Sequence, residues 1–248
     1  MRIFSTILLS LLSSTLLFAQ KIEVSIQTNS GLFHYSGPSA TSTSSIIKNA
    51  STAQNFTDDP YGDKNGFSYG GNIQIQYVNK KGFIIGLQTG YEILRSKVDI
   101  NVYYPNTSSM YPIIPGPLTP VPVKIPVTGQ TYLQNNDINI NPYIGYRLQL
   151  KKIKIDVMPG LDFGFNTNSY YKGSATDNSG NVYQTNMTFP HAHTDLGLRF
   201  GVAANYKKFG ITANYAHGLT NLAKDVYGTS NSIVHSELLG FGITYRIL

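Results

Sequence analysis

The feature that most constrains this chain is a strict period-two alternation of apolar and polar residues. In the segment 83–93, for example, Ile85 and Leu87 alternate with Gly86 and Gln88. Such alternation is typical of a β-strand with two different faces. The segments that carry it are 22–27, 71–78, 83–93, 138–150, 153–165, 195–206, 209–215 and 239–247. We therefore predict an all-β protein with eight strands.

The polar face of these strands favours a membrane barrel over a soluble sandwich. It consists mainly of Gly, Asn, Gln and Thr with a few charges of both signs, whereas the water-facing side of a sandwich is usually rich in Lys and Glu. Small polar residues suit a narrow barrel lumen. Charged residues make up 13% of the chain, about half the usual ~25%. The apolar face is therefore expected to meet lipid.

The connections between strands alternate in length. Three are tight (79–82, 151–152 and 207–208), three are long (36–66, 105–130 and 167–190), and that at 222–233 is intermediate. The alternation predicts an eight-stranded antiparallel up-and-down transmembrane β-barrel with long extracellular loops and short periplasmic turns. Ten strands are the alternative, if 40–50 and 105–130 hide a further hairpin.

The N-terminus predicts export. Arg2 precedes an apolar stretch at 7–18, and Ala19 supplies a small residue before Gln20, so residues 1–19 are interpreted as a signal peptide cut after Ala19 or Gln20. Residues 20–248 then form the barrel domain. The chain has no cysteine, which excludes disulfides and a lipid anchor. We expect the mature protein in the outer membrane, reached by Sec-type export through the periplasm.

Three runs carry a resemblance to a known family: YIGYRLQLKKIKIDVMPGLDFGF (143–165), DLGLRFGVAANYKKFGITANYAHGLTNL (195–222) and LLGFGITYRIL (238–248). They resemble the outer-membrane β-barrel domain family that includes PorT-like proteins. The resemblance implies a small barrel of the OmpX/OmpA kind and an outer-membrane location. It implies no activity, so no site residue is carried over. The chain ends on Ile247 and Leu248, where such barrels usually end on an aromatic residue.

Charged residues on the polar faces are the first candidates for a site. In a narrow barrel they would form paired networks that close the lumen, because an unpaired buried charge is costly. Four are basic and five acidic, so they nearly balance. The predicted lumen network comprises Glu92, Arg147, Lys154, Asp156, Asp162, Asp195, Arg199, Glu237 and Arg246. A small diffusion pore or transporter is the alternative.

The loops are the second candidates. Residues 105–126 hold seven of the 12 prolines and favour an extended polyproline conformation with exposed apolar side chains. Such a segment suits docking of another envelope or extracellular protein, or it is simply a stiff, protease-resistant loop. The possible partner-binding residues are Tyr111, Pro112, Ile113, Ile114, Pro115, Pro117 and Leu118. The Ser/Thr/Asn-rich segment 36–57 is typical of a mobile loop.

No motif predicts catalysis or a cofactor. His191 and His193 would share one face of a strand, but no third metal ligand is evident nearby. His235, Ser236 and Glu237 are consecutive, so their side chains would point to opposite faces and could not form a triad. An enzyme at the barrel rim and a soluble periplasmic binding barrel are minor alternatives.

We therefore predict a monomeric integral outer-membrane protein with a structural or partner-binding role. Outer-membrane lipid is its expected surrounding, and no catalysis, metal or cofactor is expected. Nucleic-acid binding is not expected either, because the lysines lie in turns rather than on one face.

Overall fold

A computed structural model describes residues 22–105, 123–189, 194–224 and 232–248 of the chain. These residues form eleven β-strands, and they contain no helix that is long and apolar enough to cross a membrane. The predicted signal peptide lies outside the described residues. The strands are β1 (Ile22–Ser36), β2 (Thr43–Lys48), β3 (Asn55–Thr57), β4 (Lys64–Val78), β5 (Phe83–Tyr104), β6 (Ile125–Leu150), β7 (Ile153–Asp177), β8 (Val182–Phe189), β9 (Thr194–Tyr206), β10 (Phe209–Gly218) and β11 (His235–Arg246).

Eight of the strands close into a ring, in the order β1, β4, β5, β6, β7, β9, β10, β11 and back to β1. All neighbours in the ring are antiparallel. The closing ladder between β1 and β11 runs from Ser25 opposite Arg246 to Ser36 opposite His235. Each segment with the alternating pattern lies in one strand of this ring, so the predicted eight-stranded antiparallel barrel is confirmed.

The apolar face of the alternation points outward. Ile144, Ile85 and Phe209 are 66%, 65% and 64% exposed, while polar side chains of the opposite face, such as Asn141 and Gln76, are buried. Large exposed apolar side chains circle the whole ring, far beyond the patches that a soluble monomer presents to water. This belt is the surface that meets lipid.

At the periplasmic end of the barrel, tight turns connect consecutive strands. Lys151 and Lys207 begin the two-residue turns with positive φ angles of 55° and 53°, a region that L-residues seldom occupy. In the first turn Gly82 has a φ of 92°, and Asn79 accepts hydrogen bonds from the backbone N–H groups of Lys81 and Phe83. The tight turns thus lie where the alternation of loop lengths placed them.

Within the described residues, the long connections contain several strand segments. Strands β5, β6 and β7 continue beyond the lipid-facing belt, β8 pairs with β7, and β2 pairs in parallel with the end of β5. Together they form an extracellular lobe with its own apolar core. That core contains Ile46, Val98, Ile100, Tyr103, Val127 and Ala175.

The lobe corrects one expectation about residues 36–57 and excludes them as a source of additional barrel strands. The segment is not an exposed mobile loop: it contributes β2 and β3, and Ile46 and Ile47 are fully buried. The apolar pair drives this packing because β-branched side chains fit a pleated surface, despite the polar residues around it. The β2–β3 hairpin also lies outside the ring, so the extra strands do not enlarge the barrel to ten.

Candidate functional site

The periplasmic half of the lumen is organised around Arg147. Its guanidinium donates to both carboxylate oxygens of Glu23 at 2.7 Å and to those of Asp156 at 2.6 and 2.7 Å. Arg246, from the last strand, reaches the same Glu23 at 3.1 Å. All four side chains are largely buried. Two arginines and two carboxylates therefore neutralise one another and link β1, β6, β7 and β11 across the lumen.

A second network lies nearer the extracellular end. Arg199 is 5% exposed and donates from Nη1 and Nη2 to Glu92 at 3.2 and 3.1 Å. It also donates to Asp162 from Nε at 3.1 Å and from Nη2 at 2.8 Å. Asn29 donates to Glu92 at 3.0 Å. These fork-shaped, charge-assisted contacts hold β9 to β5 and to β7.

Neutral amides and one tyrosine fill the space between the two networks. Gln88 donates to Gln27 at 2.9 Å and to Asn72 at 2.8 Å. Gln74 donates to the hydroxyl of Tyr143 at 2.5 Å. The Tyr143 ring lies over Gly86, at a position where any larger residue would clash with it. A small residue in the lumen thus makes room for a large one on the neighbouring strand.

A chamber lined by carboxylates adjoins Arg199. Its lining includes Asp137 and Asp195, which receive hydrogen bonds from Asn166 at 2.7 Å and from the Ser236 hydroxyl, respectively. The cavity measures about 40 Å³, enough for a few water molecules. Asn139 also lines it, and its amide has no hydrogen-bond partner among the described residues. Glu92 and Asp162 also line the chamber, so four carboxylates surround it in total. Arg199 lies beside them and supplies positive charge.

An apolar cap covers the extracellular mouth of the lumen. The ring of Tyr35 meets those of Phe33 and Tyr61 edge to face, at centroid distances of 5.1 and 5.0 Å. Leu133 and Tyr171 join the same buried cluster, together with Leu222 and Val234 from the connection between β10 and β11. Asn135 donates to the Tyr35 hydroxyl at 2.5 Å. The cap packs directly above the carboxylate chamber, since Phe33 lines that chamber too.

Most residues of the predicted lumen network fall into the two charge networks. Arg147, Asp156 and Arg246 belong to the periplasmic network, and Glu92, Asp162 and Arg199 belong to the other. Asp195 bonds Ser236 instead of an arginine. Lys154 is half-buried near the periplasmic turn and makes no ion pair with a described carboxylate.

Glu237 corrects one expectation, because it lies outside the lumen. It is in contact with His34 and His217 at 3.6 Å each and accepts a hydrogen bond from Tyr215 at 3.2 Å. Its neighbour Leu238 is buried in the cap, so Glu237 points to the other face of β11. The alternation Leu239, Phe241, Ile243 already placed position 237 outside.

Two lumen carboxylates were missed, Glu23 and Asp137. Glu23 is on the polar face of the alternating segment 22–27, and Asp137 is found by extending the segment 138–150 by one residue. Glu23 precedes Ser25 and Gln27 at spacing two, and Asp137 precedes Asn139 and Asn141 in the same way.

The candidates for chemistry are not brought together. Ser236 points into the lumen towards Asp195, Nδ1 of His235 lies 3.1 Å from the carbonyl oxygen of Thr220, and Glu237 faces outward. Within the described ranges no group of three or more His, Cys, Asp or Glu residues could hold a metal ion. The pair His191 and His193 lies outside the described residues, as does the whole proline-rich set from Tyr111 to Leu118.

A ring of eight antiparallel strands, apolar outside and polar inside, is the architecture of an outer-membrane barrel. The sequence profile of the outer membrane protein beta-barrel domain family matches residues 18–224. The chain belongs to this family. An outer-membrane location follows from that membership and from the lipid-facing belt. No curated protein matches the chain.

The chain also matches several solved structures at low sequence identity. Ail, the attachment invasion locus protein of Yersinia pestis, crystallised with the heparin analogue sucrose octasulfate, is 12% identical at a TM-score of 0.34; the match covers 92% of this chain and 98% of Ail. Neisserial surface protein A is 13% identical at a TM-score of 0.33, and the match covers 90% of this chain and 96% of that protein. A major outer membrane protein of Thermus thermophilus is 14% identical at a TM-score of 0.41, and the match covers 90% of this chain and 99% of that protein.

Proposed function

We propose that this family member is a monomeric barrel whose lumen does not conduct ions. In this proposal the extracellular side has a structural or partner-binding role, and the protein has no catalytic activity. The observation that carries the proposal is the filling of the lumen at successive levels. From the periplasm outward these are the Arg147 network, the amide layer, the Arg199 network and the apolar cap. An eight-stranded barrel has an interior just wide enough for such side chains.

Planar-bilayer recording tests the closed lumen. The purified barrel is refolded, and a boiled-versus-unboiled gel shift first establishes that it has formed. We expect no steady single-channel openings. Reproducible openings of the unaltered protein would make it a diffusion pore and overturn the proposal.

The extracellular lobe supports a binding role, because it is a packed platform rather than a set of free loops. We propose that the proline-rich residues 111–118, which belong to the connection between β5 and β6, contact another envelope or extracellular protein. A photo-crosslinking amino acid at position 111 should give one discrete adduct in intact cells. The same label at position 178, in the exposed turn after β7, is the matched control. Equal labelling from both positions, or none from position 111, would contradict a specific partner site there.

A further inference from the structure

Arg95 lies on the outer face of β5 just above the lipid-facing belt. The lipid-facing run of β5 extends from Phe83 to Ile93, about 33 Å of strand at ~3.3 Å per residue. A strand tilt of about 40° reduces this to about 25 Å, the height of the apolar band of such barrels. Arg95 is the next outward residue after Ile93. It therefore lies at the level of the lipid head groups on the extracellular side.

The guanidinium of Arg95 is held in place from three sides. Its central carbon lies 5.3 Å from the ring centroid of Tyr69 and 5.6 Å from that of Tyr132. Its Nε donates to Oε1 of Gln134 at 2.7 Å. Gln134 is 3% exposed and is itself fixed by donating to Asn136 at 2.7 Å. Neither Nη atom has a hydrogen-bond partner among the described residues, so the outer edge of the fork is available for an anion.

The neighbouring charges add to this positive potential. Lys97 and Lys172 lie directly across from Tyr132, on β5 and β7. Neither lysine forms an ion pair with a described carboxylate. Asp99, the next acidic residue along β5, is occupied by an ion pair with Lys64 and by a 2.9 Å hydrogen bond from Gln130. Three cations therefore surround one tyrosine without a competing carboxylate from the described strands.

The other side of the barrel has no counterpart to this patch in the described part of the chain. At the corresponding height β1, β10 and β11 present Glu237 between His34 and His217. In the ranges that the structure describes, this basic surface is therefore confined to the β5–β7 face. A confined site points to recognition of a particular group.

We infer that Arg95, Lys97 and Lys172 bind the phosphate-bearing head group of a lipid in the outer leaflet. A guanidinium fork matches phosphate oxygens in a two-bond geometry, and lysines add charge around it. A lipid fits better than a soluble phosphate because the surface directly below is built for acyl chains: Tyr69 and Ile138 are 42% and 45% exposed there. This inference is independent of whether the lumen conducts.

Native mass spectrometry of the folded barrel in zwitterionic detergent tests the site. The probes are bis-phosphorylated lipid A, the same lipid without its phosphates, and inorganic phosphate. We expect lipid A to bind the unaltered protein and Arg95→Gln to weaken that binding about tenfold or more, because charge-assisted hydrogen bonds are lost. Arg95→Lys should be weakened too, since it keeps the charge but not the fork. The matched control is Lys208→Gln, which removes an exposed lysine that lies over Tyr245 at the opposite interface.

Each result decides the inference. Loss of binding in Arg95→Gln but not in Lys208→Gln supports it, as does failure of the dephosphorylated lipid to bind. Equal affinities of Arg95→Gln and the unaltered protein, or of the two lipids, would overturn it. Inorganic phosphate that binds as tightly as lipid A would also overturn it, in favour of a soluble anion. Every variant is first checked for folding by the gel shift. If Arg95→Gln does not fold, Lys97→Gln with Lys172→Gln replaces it under the same criteria.

Discussion

Replacing Arg199 by methionine is the sharpest test of the charge networks in the lumen. Methionine has a similar length and no charge, so the change removes the contacts while leaving little empty space. Arg199 makes four hydrogen bonds to two carboxylates, Glu92 and Asp162. After the change these carboxylates remain buried next to a chamber that already contains Asp137 and Asp195.

The expected cost follows from these contacts. Removing one partner of a buried ion pair destabilises a protein by about 3–5 kcal/mol. A second estimate counts the lost contacts. Each carboxylate loses charge-assisted hydrogen bonds worth about 1.5–3 kcal/mol, which gives about 3–6 kcal/mol for Glu92 and Asp162 together. Both routes agree. We therefore expect Arg199→Met to lower the free energy of unfolding by about 3–5 kcal/mol.

Equilibrium unfolding in guanidinium chloride, with the barrel in lipid vesicles, measures this quantity. The chain has no tryptophan, so circular dichroism and the gel shift report the folded fraction. Lys152→Met in the exposed periplasmic turn is the control and should stay within about 0.5 kcal/mol of the unaltered protein. Combining Arg199→Met with Glu92→Gln and Asp162→Asn should recover most of the loss, because the whole ionic group is then neutral. A single variant as stable as the control, or a triple variant without recovery, would refute the reasoning.

Three further changes test other parts of the structure. Phe200→Lys, on a lipid-facing side chain that is 50% exposed, should cost about 2–4 kcal/mol of unfolding free energy in vesicles; normal stability would mean that the faces are wrongly assigned. Lys207→Asn relieves a φ of 53° and should raise the unfolding free energy by about 0.5–1 kcal/mol, and a fall would show that the turn is not strained. Hydrogen bonds from the side chain of Asn181, and then from its backbone, Tyr183 and Ser179, hold the pKa of Asp177 below its usual value in the β7–β8 hairpin above the membrane. The stability that this gives is complete above the unfolded pKa of about 3.9 and is lost as the pH falls through the lower folded value; an NMR titration midpoint at or above about 3.9 would contradict it.

The periodicity of the sequence determined which residues face lipid and how many strands form the ring. The reason is local: a pleated strand turns successive side chains to opposite faces, so Phe200 faces lipid and Arg199 the lumen whatever the strands pair with. The alternation of loop lengths added the antiparallel order and the tight periplasmic turns. The apolar–polar alternation of 22–27 already places Glu23 inside, and extending that of 239–247 by two residues places Glu237 outside.

The tertiary structure decided which lumen residues meet. Arg199 and Glu92 are 107 positions apart, and Arg147 reaches Glu23 across 124. Such contacts depend on barrel closure and on the register of all eight strands, and the periodicity of a single strand contains neither. The register likewise determined that β5, β6 and β7 continue above the membrane, where Ile46 and Ile47 find a core within a polar segment. The pairing of β5 with β4 on one side and with β6 on the other also brings Tyr69 and Tyr132 to opposite sides of Arg95.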